Sequence, residues 1–199
     1  MVWPLENTDW APVLEKAQNT FTEIIKAIER FEPVILIRPD TCDTPSDDIW
    51  TRDFGPITIE ENGKLILLDF TFNGWGGKYD FPGDELVADQ IAAASGVPLE
   101  MADFILEGGS LDHDGFGEML TTRQCLLNPN RNPGLSRSEV EARLKRDLGF
   151  DRVLWLGDGL INDHTDGHVD NLARFVAPGV LAVPRATGAD DPNAAIYSD

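Results

Sequence analysis

Apolar positions repeat with a helical period at the start of the chain. They recur every three or four residues, which places them on one face of a helix. Asp9 suits the N-cap, and Pro12 falls within the first turn, where a missing N–H costs little. A run of β-forming residues at 33–37 is too short for a helix and predicts a strand. The apolar face consists of Val13, Ala17, Phe21, Ile24, Ile28 and Phe31.

Two β-forming runs then lie on either side of an Asn-Gly pair. Residues 56–59 and 64–68 flank Asn62-Gly63, which predicts a β-hairpin with a tight turn. A helix is predicted from about Asp84 to Ala94, and residues 97–99 are predicted to be extended. The order of this segment is therefore strand, strand, helix, strand.

The same order of elements returns in the second half of the chain. An Asp114-Gly115 turn separates two strands, and the helix that follows begins at Ser136 with Glu139 as its capping-box partner. A third pair of strands has its turn at Pro178-Gly179. The strands of these copies are predicted at 104–107, 117–122, 152–156, 168–176 and 180–183.

This repetition predicts an α/β protein built from strand–strand–helix–strand modules. Two modules are complete and a third is begun, while the leading helix and strand resemble the end of another module. Modules that pack on their neighbours usually close into a ring or form a stack. Because both ends stop in mid-module, we expect a partial domain; a complete three-layer α/β domain is the alternative.

The charge of the chain narrows the class of partner. The sequence holds 16 Lys and Arg against 35 Asp and Glu, a formal net charge of -19. Such a surface repels a phosphate backbone and attracts a small cation, so nucleic acid is excluded as a partner. The sequence shows neither a membrane-spanning run nor a signal peptide. Cys42 and Cys125 form no CxxC motif, which favours a reduced, cytoplasmic location.

Three polar clusters interrupt the strand pattern. In the first, residues 47–56, Asp47, Asp48 and Asp53 accompany Trp50, and this set could hold a planar cation by charge and stacking. The second is Glu107 followed by two glycines, which let a ligand come close to the backbone. A capped surface turn is the alternative for the first cluster, and a β-bulge is the alternative for the second.

The third cluster, residues 162–171, is the densest. Alternation along a strand would place His168 and Asp170 on one face, where a histidine beside a carboxylate suits general acid–base work. A metal site formed by His164, His168 and the aspartates is the rival. The spacing of the two histidines suits a helix, however, and Gly167 opposes one.

Together the clusters provide carboxylates that could bind a guanidinium and a histidine that could move protons. Carboxylates accept the forked donors of a guanidinium in a bidentate manner. A guanidinium is a poor electrophile, so its hydrolysis calls for a strong nucleophile such as a thiolate.

Five motifs follow one another along the chain, at 50–56, 72–79, 106–110, 127–133 and 165–171. In this order they resemble the family of agmatine deiminases and bacterial-type peptidyl-arginine deiminases. The resemblance implies the pentein fold, or β/α propeller, a ring of five modules. Residues 1–199 would cover about three to four of them and be incomplete at both ends.

The resemblance also assigns roles to residues. Asp53 and Asp170 match the two aspartates that bind the guanidinium, His168 the acid–base histidine, and Glu107 a glutamate of the same pocket. We therefore expect these four side chains to converge. Asp48 and Trp50 are similar to residues near the substrate.

The family's nucleophilic cysteine lies in a glycine-rich motif that this sequence does not match. Cys125 is interpreted as a core residue at the end of a strand, and Cys42 as a loop residue. We expect the isolated chain to bind a guanidine without turning it over.

The resemblance implies hydrolysis of agmatine to N-carbamoylputrescine and ammonia through a covalent thiouronium, a step of putrescine and polyamine metabolism. Deimination of free or peptidyl arginine is the first alternative. A metal-dependent hydrolase and a non-catalytic guanidine-binding fragment are the others. We expect no cofactor, no metal ion and no membrane partner. The open module faces should expose apolar surface, which a homo-oligomer would cover.

Overall fold

Six α-helical segments, five 3₁₀ turns and eight strands make up the described regular structure in the computed structural model, which describes residues 1–6, 8–38, 46–188 and 190–198. In chain order the elements are α1 (Leu14–Ile28), α2 (Thr51–Phe54), β1 (Ile57–Glu61), β2 (Lys64–Thr71), α3 (Gly74–Gly77), α4 (Val87–Ser95), β3 (Leu99–Ile105), β4 (Leu111–His113), β5 (Glu118–Thr122), α5 (Arg123–Leu126), α6 (Arg137–Leu148), β6 (Arg152–Leu156), β7 (Arg174–Ala177) and β8 (Val180–Ala182). Among the described residues, no helix is long and apolar enough to span a membrane.

The chain divides into two compact units. The first unit comprises Met1–Asp69 and Asp80–Met101, and the second comprises Phe70–Tyr79 and Ala102–Asp199. The predicted assignment of the whole chain to one partial domain of three to four modules stays a prediction.

The first unit contains the predicted hairpin. β1 pairs antiparallel with β2, and the sheet order is β1-β2-β3. Asn62 and Gly63 both have positive φ, 52° and 76°, as the predicted Asn-Gly turn requires. The helix predicted from Asp84 is also confirmed, with a 3₁₀ turn at Asp84–Leu86 leading into α4.

The start of the chain differs from its prediction. α1 begins at Leu14, after a 3₁₀ turn that contains Pro12, and no side chain caps it, so the Asp9 cap was wrong. Phe31, predicted to share the helical face, lies beyond the end of α1 and is 84% exposed. Among the described residues, the predicted strand at 33–37 is reduced to one parallel bridge between Ile37 and Val2.

The second unit is built on the sheet β4-β5-β6. β5 pairs antiparallel with β4 and parallel with β6, and α6 connects β5 to β6. The predicted capping box of Ser136 and Glu139 is confirmed at the start of α6. The partner of β5 is residues 111–113 rather than the predicted 104–107, because a 3₁₀ turn at Gly108–Ser110 intervenes and the Ser110 hydroxyl donates to the Glu107 carbonyl, 2.6 Å.

The third strand pair is shorter than predicted. β7 and β8 pair antiparallel, but β7 begins at Arg174 rather than at His168. Residues Val169–Asn171 form a 3₁₀ turn, preceded by positive φ values at Asp166 and Gly167. Val169 packs in the core with Leu120 beneath this turn.

Candidate functional site

A buried histidine and a buried glutamate face each other in the second unit. His168 Nε2 lies 3.8 Å from Glu107 Oε2, and both side chains are almost fully excluded from solvent. Glu107 follows β3 in extended conformation, immediately before the 3₁₀ turn. The separation exceeds a hydrogen bond, yet at this distance in a buried site the charge of one group strongly influences the other.

The turn that carries His168 is fixed by side-chain hydrogen bonds. The Thr165 hydroxyl donates to Asp163 Oδ1, 2.7 Å, and the His168 backbone N–H donates to the Thr165 hydroxyl, 3.2 Å. The Thr122 hydroxyl at the end of β5 donates to the Gly167 carbonyl, 2.6 Å. Gly167 has φ of 87°, which a side chain would disfavour.

This geometry corrects one sequence-based inference. His168 and Asp170 were predicted to share a strand face by alternation. His168 is instead in extended conformation at the start of a 3₁₀ turn, and the half-buried Asp170 lies within that turn. The period-2 argument fails because Thr165 and Gly167 impose a turn where the composition suggested a strand.

Arg131 was given no role by sequence reasoning and is fully buried beside the pair. Its Nε donates to Glu107 Oε1 at 2.9 Å, and its Nη1 is paired with Asp166. Burial alone would lower the pKa of Arg131, but the charges of Glu107 and Asp166 raise it overall. The arginine stands in the 127–133 motif, but nothing in that motif's pattern shows that its side chain is buried.

Cys125 is the third reactive group next to the pair. One ligand atom from each of Glu107, Cys125 and His168 lies within 4.8 Å of the others. The predicted core location of Cys125 is confirmed, although it lies in the short helix α5 rather than at a strand end. Burial, followed by the charge of Glu107, raises the pKa of its thiol, so the neutral thiol predominates at neutral pH.

These three residues also bear on the metal alternative. A thiol, an imidazole and a carboxylate could hold a thiophilic cation such as Zn²⁺. The positively charged Arg131 guanidinium, which pairs with Glu107, opposes the binding of such a cation. Among the residues described, the predicted set of His164, His168 and aspartates does not form a comparable cluster.

The first predicted cluster lies in the first unit. Asp48 is buried; its Oδ1 accepts the Ile49 N–H at 2.7 Å and the Trp10 indole N–H at 3.3 Å. Burial raises its pKa in spite of these bonds. Asp53 is buried in the single turn α2, whereas Trp50 just before it is 49% exposed.

Asp84 organises that loop. Its Oδ1 accepts the backbone N–H groups of Asp47 and Asp48, at 2.7 and 3.1 Å, and its buried Oδ2 has no hydrogen-bond partner among the described residues. Asp47 in turn accepts the Gly83 N–H at 2.6 Å. Burial, the largest cause, raises the pKa of Asp84 to about 7. In the sequence it is indistinguishable from an ordinary residue at a helix start.

The structure thus brings Glu107 and His168 together, and it places Asp48, Trp50 and Asp53 in one segment of the first unit. The convergence of Asp53 with the other three predicted site residues stays a prediction. Cys42 lies outside the described residues.

The buried pair of His168 and Glu107, carried on strand and helix elements, is of a kind that general acid–base chemistry uses. The chain belongs to the Porphyromonas-type peptidyl-arginine deiminase family, whose model matches residues 1–199. It is 42% identical to an agmatine deiminase from Stutzerimonas stutzeri (strain A1501), across 97% of this chain and 59% of that protein.

Solved structures of agmatine deiminases are similar to this chain in fold and sequence. A substrate-bound cysteine-to-serine variant of the C. jejuni agmatine deiminase matches with a TM-score of 0.91 and 36% identity, covering 99% of this chain and 65% of that one. The Enterococcus faecalis agmatine deiminase matches with a TM-score of 0.89 and 35% identity, covering 100% and 60%. The predicted α/β pentein fold is confirmed by these matches. The chain spans about 59% of the length of the curated relatives named first.

Proposed function

We propose that the protein of which these residues are the matched part hydrolyses a guanidine C–N bond, with agmatine as substrate. The observation that carries the proposal is the buried His168–Glu107 pair in a chain of this family. Agmatine is favoured because the relatives with high coverage are agmatine deiminases. The products would be N-carbamoylputrescine and ammonia.

The proposed reaction needs a thiolate and a residue that moves protons. A cysteine thiolate attacks the guanidinium carbon, His168 donates a proton to the departing amine, and ammonia leaves. His168 then takes a proton from a water molecule whose oxygen attacks the thiouronium carbon, which expels the thiolate and leaves the carbamoyl product. The Glu107 carboxylate stabilises the imidazolium that exists before the first transfer and again after the second, while His168 is neutral between them.

We assign the nucleophile to a cysteine outside these 199 residues. Cys125 is buried and its pKa is raised, so it carries little thiolate at neutral pH. Asp53 and Asp170 keep the guanidinium-binding roles that the family resemblance implies, and Asp48 and Trp50 keep their places near the substrate.

The test compares the 199-residue chain with the protein carried through to the length of its relatives. The longer protein should release ammonia from agmatine, and Asp170→Asn should remove most of that activity, since an amide forfeits charge-assisted hydrogen bonds worth about 1.5–3 kcal/mol each. The 199-residue chain should release none. Deimination by the short chain that disappears in Cys125→Ser would overturn the assignment of the nucleophile.

Arginine is the runner-up substrate, because the matching family is described as a peptidyl-arginine deiminase. A comparison of kcat/KM for agmatine, arginine and an arginyl peptide separates these cases. If the chain binds agmatine and the longer protein releases no ammonia, the non-catalytic guanidine-binding alternative is supported. Stoichiometric zinc or manganese in purified protein would support the metal-dependent alternative instead.

A further inference from the structure

Two motifs of the sequence, at 72–79 and 127–133, carry no role in the proposed reaction. Both lie in the second unit. The 127–133 motif contains the buried Arg131, and the 72–79 motif packs against its side chain. Asn73 Nδ2 donates to the Asn130 carbonyl at 2.8 Å, and Asn73 Oδ1 accepts the Gly76 N–H at 2.8 Å. Gly76 has φ of 82°, and a Cβ at this position would collide with the side chains of Asn130 and Arg131. The 72–79 segment therefore closes tightly over the arginine.

All three nitrogen atoms of the Arg131 guanidinium donate hydrogen bonds. Nε donates to Glu107 Oε1 at 2.9 Å, and Nη2 donates to the Thr165 carbonyl at 2.9 Å. Nη1 donates to Asn130 Oδ1 at 3.0 Å and also to Asp166 Oδ2. One buried cation thus connects the carboxylate of the site to the turn that carries His168.

Asp166 is held from the outside as well. Lys78 Nζ donates to Asp166 Oδ1 at 2.5 Å and to the His164 carbonyl at 2.7 Å. Asn130 Nδ2 donates to Asp166 Oδ2 at 2.9 Å. Burial would raise the pKa of Asp166, but the hydrogen bonds from Lys78, Asn130 and Arg131 lower it overall. The Thr165–His168 turn is therefore tied on both sides by positive charge.

The charge balance gives Arg131 a chemical consequence beyond packing. Glu107 Oε1 accepts a hydrogen bond from Arg131, and Glu107 Oε2 lies 3.8 Å from His168 Nε2. Because the arginine already neutralises this buried carboxylate, the imidazole need not stay protonated to do so. Cys125 is a further titratable group beside the pair, and it carries a neutral thiol; the acids Asp163 and Asp166 act on the same cluster. Without the arginine, His168 would be the nearest group able to supply the missing positive charge.

We propose that Arg131 is a positioning residue for the deimination: it fixes Glu107 and the His168 turn, and its charge leaves His168 free to gain and lose a proton. The inference rests on the proposed function, but its charge argument applies to the 199-residue chain itself.

The test is a proton NMR titration of the histidines in the 199-residue chain. In Arg131→Met the pKa of His168 should rise by about one unit or more relative to the unmodified chain, and in Arg131→Lys by less. His113 and His164 serve as internal references. Arg137→Met, the same change at an exposed arginine that pairs with Glu141, is the matched control and should leave His168 unchanged.

A double variant guards against misfolding. Arg131→Met with Glu107→Gln removes both buried charges of the pair, and such replacements are tolerated better than the loss of one partner. The pKa of His168 should return towards its unmodified value in this variant. An unchanged His168 titration in a folded Arg131→Met or Arg131→Lys chain would overturn the inference, and so would a double variant that titrates like Arg131→Met.

The longer protein supplies the second readout. There, Arg131→Lys should lower kcat about 10- to 100-fold with a smaller change in KM, and it should move the limb of the pH profile that reports His168 to higher pH. An active Arg131→Lys protein with an unmoved profile would count against the positioning role. A shifted NMR titration in a longer protein that never deiminates would reject the proposed function while leaving the charge role of Arg131 standing.

Discussion

The buried acidic groups of the two units are compensated in different ways. In the first unit, Asp84 accepts backbone N–H groups and Asp48 accepts a backbone and an indole N–H, and burial raises the pKa of both. In the second unit, Glu107 and Asp166 are paired with the Arg131 guanidinium. Neutral donors therefore accompany the first pair of acids, and a full charge accompanies the second.

The two kinds of compensation have different consequences for the protonation of the buried acids. In the second unit the Arg131 guanidinium pairs with Glu107, and a carboxylate beside His168 can stabilise a histidine that gains a proton. Neutral N–H donors compensate less of the burial cost, so acids such as Asp48 keep a raised pKa. Arrival of a cationic ligand would favour the ionised form of such acids. Asp48 and Asp84 thus keep a raised pKa, whereas Glu107 lies beside a full positive charge.

The largest expected effects separate the two roles proposed for the longer protein, proton transfer by His168 and guanidinium binding by Asp53. His168→Ala should lower kcat by roughly 10²–10⁴-fold, because it removes the group that moves protons. Asp53→Asn should chiefly raise KM for agmatine, by about tenfold or more, because it weakens charge-assisted hydrogen bonds. Steady-state kinetics with agmatine measure both. Equal losses of kcat in the two variants would contradict the assignment of separate roles to His168 and Asp53.

The stability of the 199-residue chain provides the next contrast. Arg131→Met leaves Glu107 and Asp166 buried without their cation and should cost about 3–5 kcal/mol. Asp84→Asn keeps an oxygen acceptor for the same two N–H groups and should cost little at pH 7, where the carboxylate begins to ionise. Urea denaturation of both variants measures the difference. A cost below about 1 kcal/mol for Arg131→Met would mean that the second unit does not depend on its cation.

The sequence predicted best what local pattern determines. The Asn62-Gly63 hairpin, the Ser136–Glu139 capping box and strand β6 follow from turn chemistry, capping and apolar runs, and all three are present. The strand expected from His168 failed because Thr165 and Gly167 impose a turn through contacts with other segments. The expected Asp9 cap was wrong as well, because a 3₁₀ turn at Ala11–Val13 precedes α1.

The site was predictable in part, through residue type and family resemblance. Glu107 and His168 were chosen as a carboxylate after a strand and a histidine in a polar cluster, and the structure brings them together. Arg131 and Asp84 were not found, because their roles arise from burial and from partners distant in sequence. An arginine between two asparagines and an aspartate before a helix read as ordinary surface residues.

The pH dependence of stability should differ between the units. The folded-state pKa of Asp84 is raised from 3.8 to about 7, so the favourable contribution of the protonated acid is complete below about pH 4 and is lost as pH rises towards 7. The lowered pKa of Asp166 works in the opposite sense, with stability lost as pH falls below about 4. Urea unfolding between these limits should show the Asp84 loss as roughly 2–4 kcal/mol.

Two asparagine variants assign that slope. Asp84→Asn should flatten it, because the amide does not titrate. Asp114→Asn is the control, since Asp114 also accepts backbone N–H groups but is only partly buried and has a lowered pKa. If the slope between pH 4 and 7 survives in Asp84→Asn, another group is responsible for it.

The smallest expected effect compares one glycine from each unit. Gly63 and Gly76 have similar positive φ values, 76° and 82°, so alanine at either should cost about 1 kcal/mol from backbone strain alone. At Gly63 a Cβ meets open space, whereas at Gly76 it would meet the side chains of Asn130 and Arg131. Those side chains cannot yield easily, because their hydrogen bonds to Glu107, Asp166 and Thr165 hold them in place. Gly76→Ala should therefore cost about 1–2 kcal/mol more than Gly63→Ala in urea denaturation. Equal costs at the two positions would mean that the 72–79 segment is not closed over Arg131, and the second unit would lose the constraint that distinguishes it from the first.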